Sequence, residues 1–242
     1  TALTWFRGLA HALPAGRAWT PLEVFKVPGH TRLIPLWMDT DTTGNPVVFT
    51  EGVGGIGQNT FGCQWADSSW AVNWVGGFAS SVSWPVLAPR GTHYLLWKSI
   101  TGEETPTGLK AYLVLTQVDP GPVGAHDTLG LIWASAVNYV AAASERRRWV
   151  MVQDFTNLRL LYSDTLRSWR EVEIAGQGEG GLGIVALDDT TALLAWAGLN
   201  EGVRWGVLRG ASWTEGLPLD VGDRLASRPR FRPRPSGGHW LA

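Results

Sequence analysis

The sequence predicts an all-β fold, a five-bladed β-propeller of four-stranded antiparallel blades, and three observations carry that expectation. Thirty Gly, 14 Pro and 15 Trp in 242 residues, with almost no long run of helix formers, describe many short strands joined by turns. Five apolar strands, PVVFT, HYLLWK, WVMVQ, ALLAWAG and HWLA, are centred on Val48, Leu96, Met151, Leu194 and Leu241. They stand 48, 55, 43 and 47 residues apart, and counting through the chain ends back to Val48 adds 49. Finally, a strand that turns into a Trp recurs at Trp19, Trp70, Trp169 and Trp213, with steps of 51, 99 (two repeats) and 44 residues. A sandwich also spaces its strands closely, but it does not predict closure through the termini.

Taken in order, residues 1–27 supply the outer strands of a blade whose inner strands come from the C-terminal segment, 221–242. Complete blades follow at 28–76, 77–129, 130–175 and 176–220, all within one domain spanning residues 1–242. The second of these lacks the Trp and has the Pro- and Gly-rich stretch VDPGPVGAH in its place; if it holds two blades, the count becomes six. Turn signals separate the first two strands of the blades at Asp39–Pro46, Ala143–Arg148, Asp188–Thr191 and Pro235–Gly238. Pairing of the two ends is expected because an open ring leaves two apolar blade faces in water, at about 25 cal/mol per Å².

Composition excludes several classes of function. Twenty basic residues balance 21 acidic ones, so no global field favours nucleic acid or an anionic membrane. The single Cys63 allows no internal disulfide and no Cys-based metal site. No apolar run approaches the roughly 18 residues needed for a membrane helix, so a soluble chain without membrane insertion is expected. The start at Thr1 suggests a processed product or a domain of something longer, with an extracellular or virion-associated location among the expectations. The five His residues show no metal-ligand spacing, no Ser sits in a nucleophile elbow, and GVGGIGQ (52–58) leads into FGCQW where a phosphate loop would open a helix. No metal or cofactor is predicted.

The unit LRLLYSDTLRSWREVEI, with Ser163, Asp164 and Trp169, resembles the Asp box of sialidase-like propellers, Ser-x-Asp-x-Gly-x-x-Trp, with the Gly absent and the spacing shortened. TRLIPLWMDTDTTGNPVVFTEG is similar to the sialidase opening Arg-Ile-Pro followed by a Gly turn, an apolar strand and Glu. That resemblance implies a carboxylate-binding role for Arg32 and a supporting acid in Glu51; the inserted Leu33 and Val53, where the family has another Arg, depart from the pattern. Tachylectin-like five-bladed lectins match the repeat length equally well.

The residues themselves offer two kinds of chemistry. A glycosidase needs carboxylates converging at the axis, and Asp39, Asp41, Glu51, Asp154 and Asp188 are available. The turn residues Asp39, Asp41, Asp188 and Asp189 are better read as caps of their own backbone, whereas Asp154 follows WVMVQ with no turn to explain it. For binding, RLASRPRFRPRPSGG places Arg228, Arg230, Arg232 and Arg234 on one side of an extended segment, where planar guanidinium groups suit an anion. The Trp residues at repeat-equivalent places are expected to pack between blades. Trp37, Trp65, Trp74, Trp84, Trp133 and Trp205 fall outside the repeat and are free to stack on sugar rings.

These readings converge on a non-catalytic recognition or assembly module for glycans or a protein surface, with Arg32, Arg228, Arg230, Arg232, Trp37, Trp65 and Trp133 as ligand contacts. The alternatives are a sialidase-like or arabinanase-like glycoside hydrolase using Asp39, Glu51 and Asp154, and a structural component of a larger assembly such as a virion or cell-surface appendage.

Overall fold

The computed structural model describes residues 27, 29–40, 46–53, 59–66, 69–77, 84–87, 93–105, 108–118, 126–133, 137–154, 157–164, 168–198, 202–219, 229, 231–233 and 238–241. Every regular element among them is a β-strand. The chain divides into two compact units, Thr1–Phe78 and Ala79–Ala242.

The first unit holds one four-stranded antiparallel sheet in sequence order: β1 (Arg32–Thr40), β2 (Pro46–Val53), β3 (Asn59–Ala66) and β4 (Ser69–Gly77). Alternation along β2 buries Val48 on one face, with Phe61, Cys63 and Val27, and Val47 and Phe49 on the other. Both faces of this strand are therefore covered. Trp70, at the start of β4, packs against the Val48 face.

In the second unit, β5 (Trp84–Leu87), β6 (His93–Thr105), β7 (Gly108–Val118) and β8 (His126–Trp133) form another such sheet. Seven further strands pair continuously: β9 (Val137–Ala143), β10 (Arg148–Asp154), β11 (Asn157–Ser163), β12 (Arg170–Ala186), β13 (Thr191–Gly198), β14 (Val203–Arg209) and β15 (Ser212–Glu215). They are two blades sharing one strand. The first part of β12 pairs with β11 as far as Gln177, and the second part pairs with β13 from Gly178 onward. The glycine-rich run GQGEGGLG thus lets one extended strand leave one sheet and enter the next, with register shifts at Gly178, Gly180 and Leu182. A short pair, β16 (Phe231–Pro233) and β17 (His239–Leu241), completes the described strands.

The repeat read from sequence coincides with this topology. PVVFT, HYLLWK, WVMVQ, ALLAWAG and HWLA lie on β2, β6, β10, β13 and β17, each the second strand of its sheet. Val48, Leu96, Met151 and Leu194 are all buried. Residues 1–26, the expected partners of the C-terminal pair and the site of Trp19, lie outside the described residues, and with them the closure.

Within the second unit, the core sits between successive sheets. Leu96, Ala111, Leu113 and Leu115 of one sheet pack on Tyr139, Ala141, Val150, Val152 and Leu161 of the next. The opposite face of that sheet, with Trp149, Met151, Leu160 and Tyr162, packs on Leu182, Leu194, Trp196 and Leu208. First strands touch in series, β5 on β9, β9 on β12 and β12 on β16. Gly183 leaves the room that the backbone of Pro229 occupies, since a Cβ there would lie 2.5 Å from the Pro229 carbonyl oxygen. Trp169 and Trp213 pack against these cores, as the repeat predicts, and Trp149 and Trp196 are wholly buried.

Candidate functional site

The two ends of β10 present opposite chemistry. At its start, the β9–β10 turn, the loop after β11, the β12–β13 turn and the β14–β15 turn come together around an open cleft of ≈ 540 Å³, lined by residues of the Glu145–Arg148 turn with Asp164, Asp189 and Thr190. Arg147 is the hub. Its Nε and Nη2 donate to the two carboxylate oxygens of Asp164 at 2.6 and 3.3 Å, its Nη1 donates to the Gly210 carbonyl at 3.2 Å, and the guanidinium lies 4.9 Å over the Tyr162 ring. Within ERRRW (145–149), Arg147 is only 13% exposed and Trp149 is fully buried, so the β9–β10 turn exposes less of this run than its charge suggests.

Asp164, Asp188 and Asp189 at this end each serve the fold. The Arg147 hydrogen bond holds Asp164 below its ordinary pKa. Asp188 caps its turn, accepting from the Thr190 and Thr191 amides at 2.6 and 2.7 Å and from the Thr190 hydroxyl at 2.9 Å, and its pKa falls for that reason. Asp189 accepts from the Arg146 amide at 3.1 Å. Ser163 does not join Asp164 but donates to the Ser168 carbonyl at 2.6 Å, closing the loop that leads into Trp169.

The other end of β10 is different. Gln153 is buried and fully engaged: its amide donates to the Gly178 carbonyl at 2.7 Å, and its oxygen accepts from Asn138 at 3.3 Å, which ties β9, β10 and the crossing of β12 together. Asp154 faces the opposite way, in register with Val137 and Asn157. Its Oδ1 is buried without a hydrogen-bond partner, and burial raises its pKa against the lowering influence of nearby Arg159. Arg159 is itself committed to Glu171, donating at 2.8 and 2.9 Å.

Counting from the central apolar residue of each second strand reveals an equivalence that the sequence reading missed. Glu51 lies three residues after Val48, as Asp154 lies three after Met151, and the paired positions agree: Ile34 and Thr60 flank Glu51, Val137 and Asn157 flank Asp154. Aligning the repeat strands on Val48 and Met151 is the signal that exposes it. Glu51 is 3% exposed, its Oε1 is buried without a partner, and burial raises its pKa. Beside it Thr50 donates to the Ile34 carbonyl at 3.1 Å.

Of the other predicted site residues, Arg32 is exposed at the start of β1, in register with Val53. Asp39 and Trp37 lie on β1, Trp65 on β3, Trp133 on β8 and Arg232 on β16, opposite Trp240. Arg228, Arg230, Arg234 and Asp41 lie outside the described residues. Among the irregular Trp residues, Trp205 is held in place, donating to the Leu217 carbonyl at 2.9 Å and packing over Gly216. Among the described residues, no helix is long and apolar enough to cross a membrane.

Four-stranded antiparallel sheets joined in series, with first strand against first strand in the second unit, define a β-propeller. A known structure supports this fold. An α-L-arabinanase of Penicillium chrysogenum, solved with arabinobiose, matches 84% of this chain and 72% of its own with a TM-score of 0.53 and 13% sequence identity. A puromycin-hydrolyzing peptidase of Mycobacterium tuberculosis matches 86% of this chain with a TM-score of 0.48 and 14% identity; this chain spans 36% of that protein's length. No family model and no curated protein sequence matches this chain.

Proposed function

We propose that this propeller is a non-catalytic recognition module whose ligand is a glycan. The observation that carries this reading is the composition of the first strands of the second unit, which neighbour one another in series. β5 (WPVL), β9 (VNYVAAA) and β16 (FRP) contain no acidic residue, and Glu179 is the one acid in the part of β12 that opens the following blade. Glycoside hydrolysis requires two carboxylates roughly 5 to 10 Å apart flanking one bond. A single acid among these first strands favours a surface that holds a ligand over one that cleaves it. In this reading Arg32, Arg228, Arg230 and Arg232 supply cationic contacts, and Trp37, Trp65 and Trp133 supply stacking faces. The carbohydrate class is preferred because an arabinobiose-bound protein shares the fold. A protein surface, in an extracellular, virion or other assembly, is the remaining ligand class.

A second reading, an arabinanase-like hydrolase, draws on Glu51 and Asp154, since carboxylates raised by burial are fitted to general acid work. A glycan array followed by product analysis separates the two. The expected outcome is saturable binding with the ligand recovered intact. Release of shorter sugars, lost in Glu51→Gln or Asp154→Asn, would overturn the recognition module in favour of the hydrolase.

A further inference from the structure

The cleft at the β9–β10 turn end, between the third and fourth blades, is flanked by two arginines that the turn locks leave uncommitted. Arg146 is 84% exposed, and its Nε stands 3.8 Å from Asp189 Oδ2, beyond hydrogen-bond reach. Arg170 is exposed on β12, in register with Tyr162. Paired strand positions share a face, so Arg170 stands on the side where Arg147 covers the Tyr162 ring. Its charge reaches Asp164 without a hydrogen bond: the pKa of that carboxyl is lowered first by the Arg147 hydrogen bond and further by the charges of Arg147, Arg170 and Arg148. Both Asp164 oxygens are already taken by Arg147, which leaves Arg170 its donors.

Acceptors stand beside these donors. Asp189 receives the Arg146 amide on Oδ1, which leaves Oδ2 without a hydrogen bond on a side chain that is 39% exposed. The Thr190 hydroxyl gives its hydrogen to Asp188, so its oxygen can only accept. At ≈ 540 Å³ the open cleft falls within the range of small-molecule sites, about 300–1,000 Å³, and has room for more than an inorganic ion. Guanidinium donors call for a carboxylate, whose two oxygens match the planar fork. Acceptor oxygens beside them call for hydroxyl donors on the same ligand. Sugars that carry carboxylates supply both. A neutral sugar leaves the guanidinium groups unmatched, and an acidic peptide side chain brings no hydroxyl.

We infer that this cleft binds an acidic oligosaccharide, whose carboxylates meet Arg146 and Arg170 and whose hydroxyls donate to Asp189 and Thr190. The β10 and β12 strands lie two strand spacings apart, about 10 Å, so each arginine takes a carboxylate of its own. Arg146, Arg170 and Thr190 are exposed, and a ligand from solution reaches them without any opening of the blades. The inference rests on the recognition reading above and adds to it the class of glycan and the place of contact.

The test is calorimetric titration of the full chain with three probes: trigalacturonate, its neutral counterpart α-1,4-galactotriose, and triglutamate. The unaltered protein is compared with Arg146→Gln, Arg170→Gln and the double variant. Trigalacturonate is expected to bind, and the other two probes to bind about tenfold more weakly or less. Each single variant should weaken trigalacturonate binding about threefold, and the double variant about tenfold, because one exposed charge-assisted contact is lost at each position. Both side chains are exposed, so the variants are expected to fold, and melting curves confirm it. Undiminished binding by the double variant refutes the cleft while the glycan reading stands. Equal affinity for galactotriose refutes the acidic class and keeps the recognition module. Equal or tighter binding of triglutamate overturns the saccharide in favour of a protein ligand. If neither saccharide binds, the inference falls, and the glycan array decides the recognition reading separately.

Discussion

The two ends of the third blade use their charged side chains in opposite ways. At the β9–β10 turn end, Asp164, Asp188 and Asp189 are consumed by Arg147 and by backbone amides, and what looks in sequence like an open cluster of charge is a set of turn locks. At the far end, Asp154 keeps a buried oxygen without a donor while Arg159 turns to Glu171. Charge density alone therefore does not locate function in this fold. What distinguishes the ends is whether each polar atom already has its partner.

The largest effect that should follow from this contrast is at the hub. Arg147→Ala removes a bidentate pair, a bond to the Gly210 carbonyl and the contact over Tyr162 together, and should cost about 2 kcal/mol or more in chemical denaturation, because the guanidinium is mostly buried although Asp164 is exposed. A loss within the ordinary surface range of about 0.5 kcal/mol would dissolve the distinction between the ends.

The pH profile sharpens it next. Glu51 and Asp154 have pKa values raised by burial, so the folded state holds their protons more tightly than the unfolded chain. Their stabilising contribution is fully present below the unfolded carboxylate values and is lost as pH rises through the folded ones. Asp164 and Glu171, lowered by arginine hydrogen bonds, behave in reverse: their contribution is present above the unfolded values and disappears as pH falls through the folded ones. Glu51→Gln should flatten the decline on the rising side and leave the acid limb intact when melting temperature is followed from acid to neutral pH. An unchanged rising limb would mean that Glu51 is not the proton-linked group.

Smaller again is Gly206→Ala. A Cβ there meets the Trp213 ring and the Thr214 carbonyl, so the outer strand of the fourth blade must shift. Melting should drop modestly while sugar binding stays unchanged, and a binding loss would place the ligand on that edge instead. Smallest of all, Arg32→Ala, on an exposed side chain at the start of β1, should leave melting unaffected and weaken only ligand binding, read by calorimetry.

Much of the fold was legible because second strands covered on both faces must be apolar: Val48, Leu96, Met151 and Leu194 announce themselves by residue type and spacing. The shared strand β12 was harder to read, since GQGEGGLG looks like a turn and only pairing on both sides makes it extended. At the candidate site, Asp154 stood out by following the apolar strand WVMVQ, although pairing with Asn157 places it beside the two-residue β10–β11 turn; the burial of Arg147 within ERRRW was hidden, because Tyr162 and Gly210, which contact it, are distant in sequence. Its equivalence with Glu51 was available from the repeat and needed only the register of the second strands.

Paired melting of Asp164→Asn and Asp154→Asn under one neutral buffer addresses the central contrast most directly. The account predicts that Asp164→Asn lowers the melting temperature, since the carboxylate it removes holds Arg147, and that Asp154→Asn leaves it unchanged or higher, since the buried charge it removes has no donor. An equal fall in both would contradict it, showing that Asp154 is a structural lock like the others.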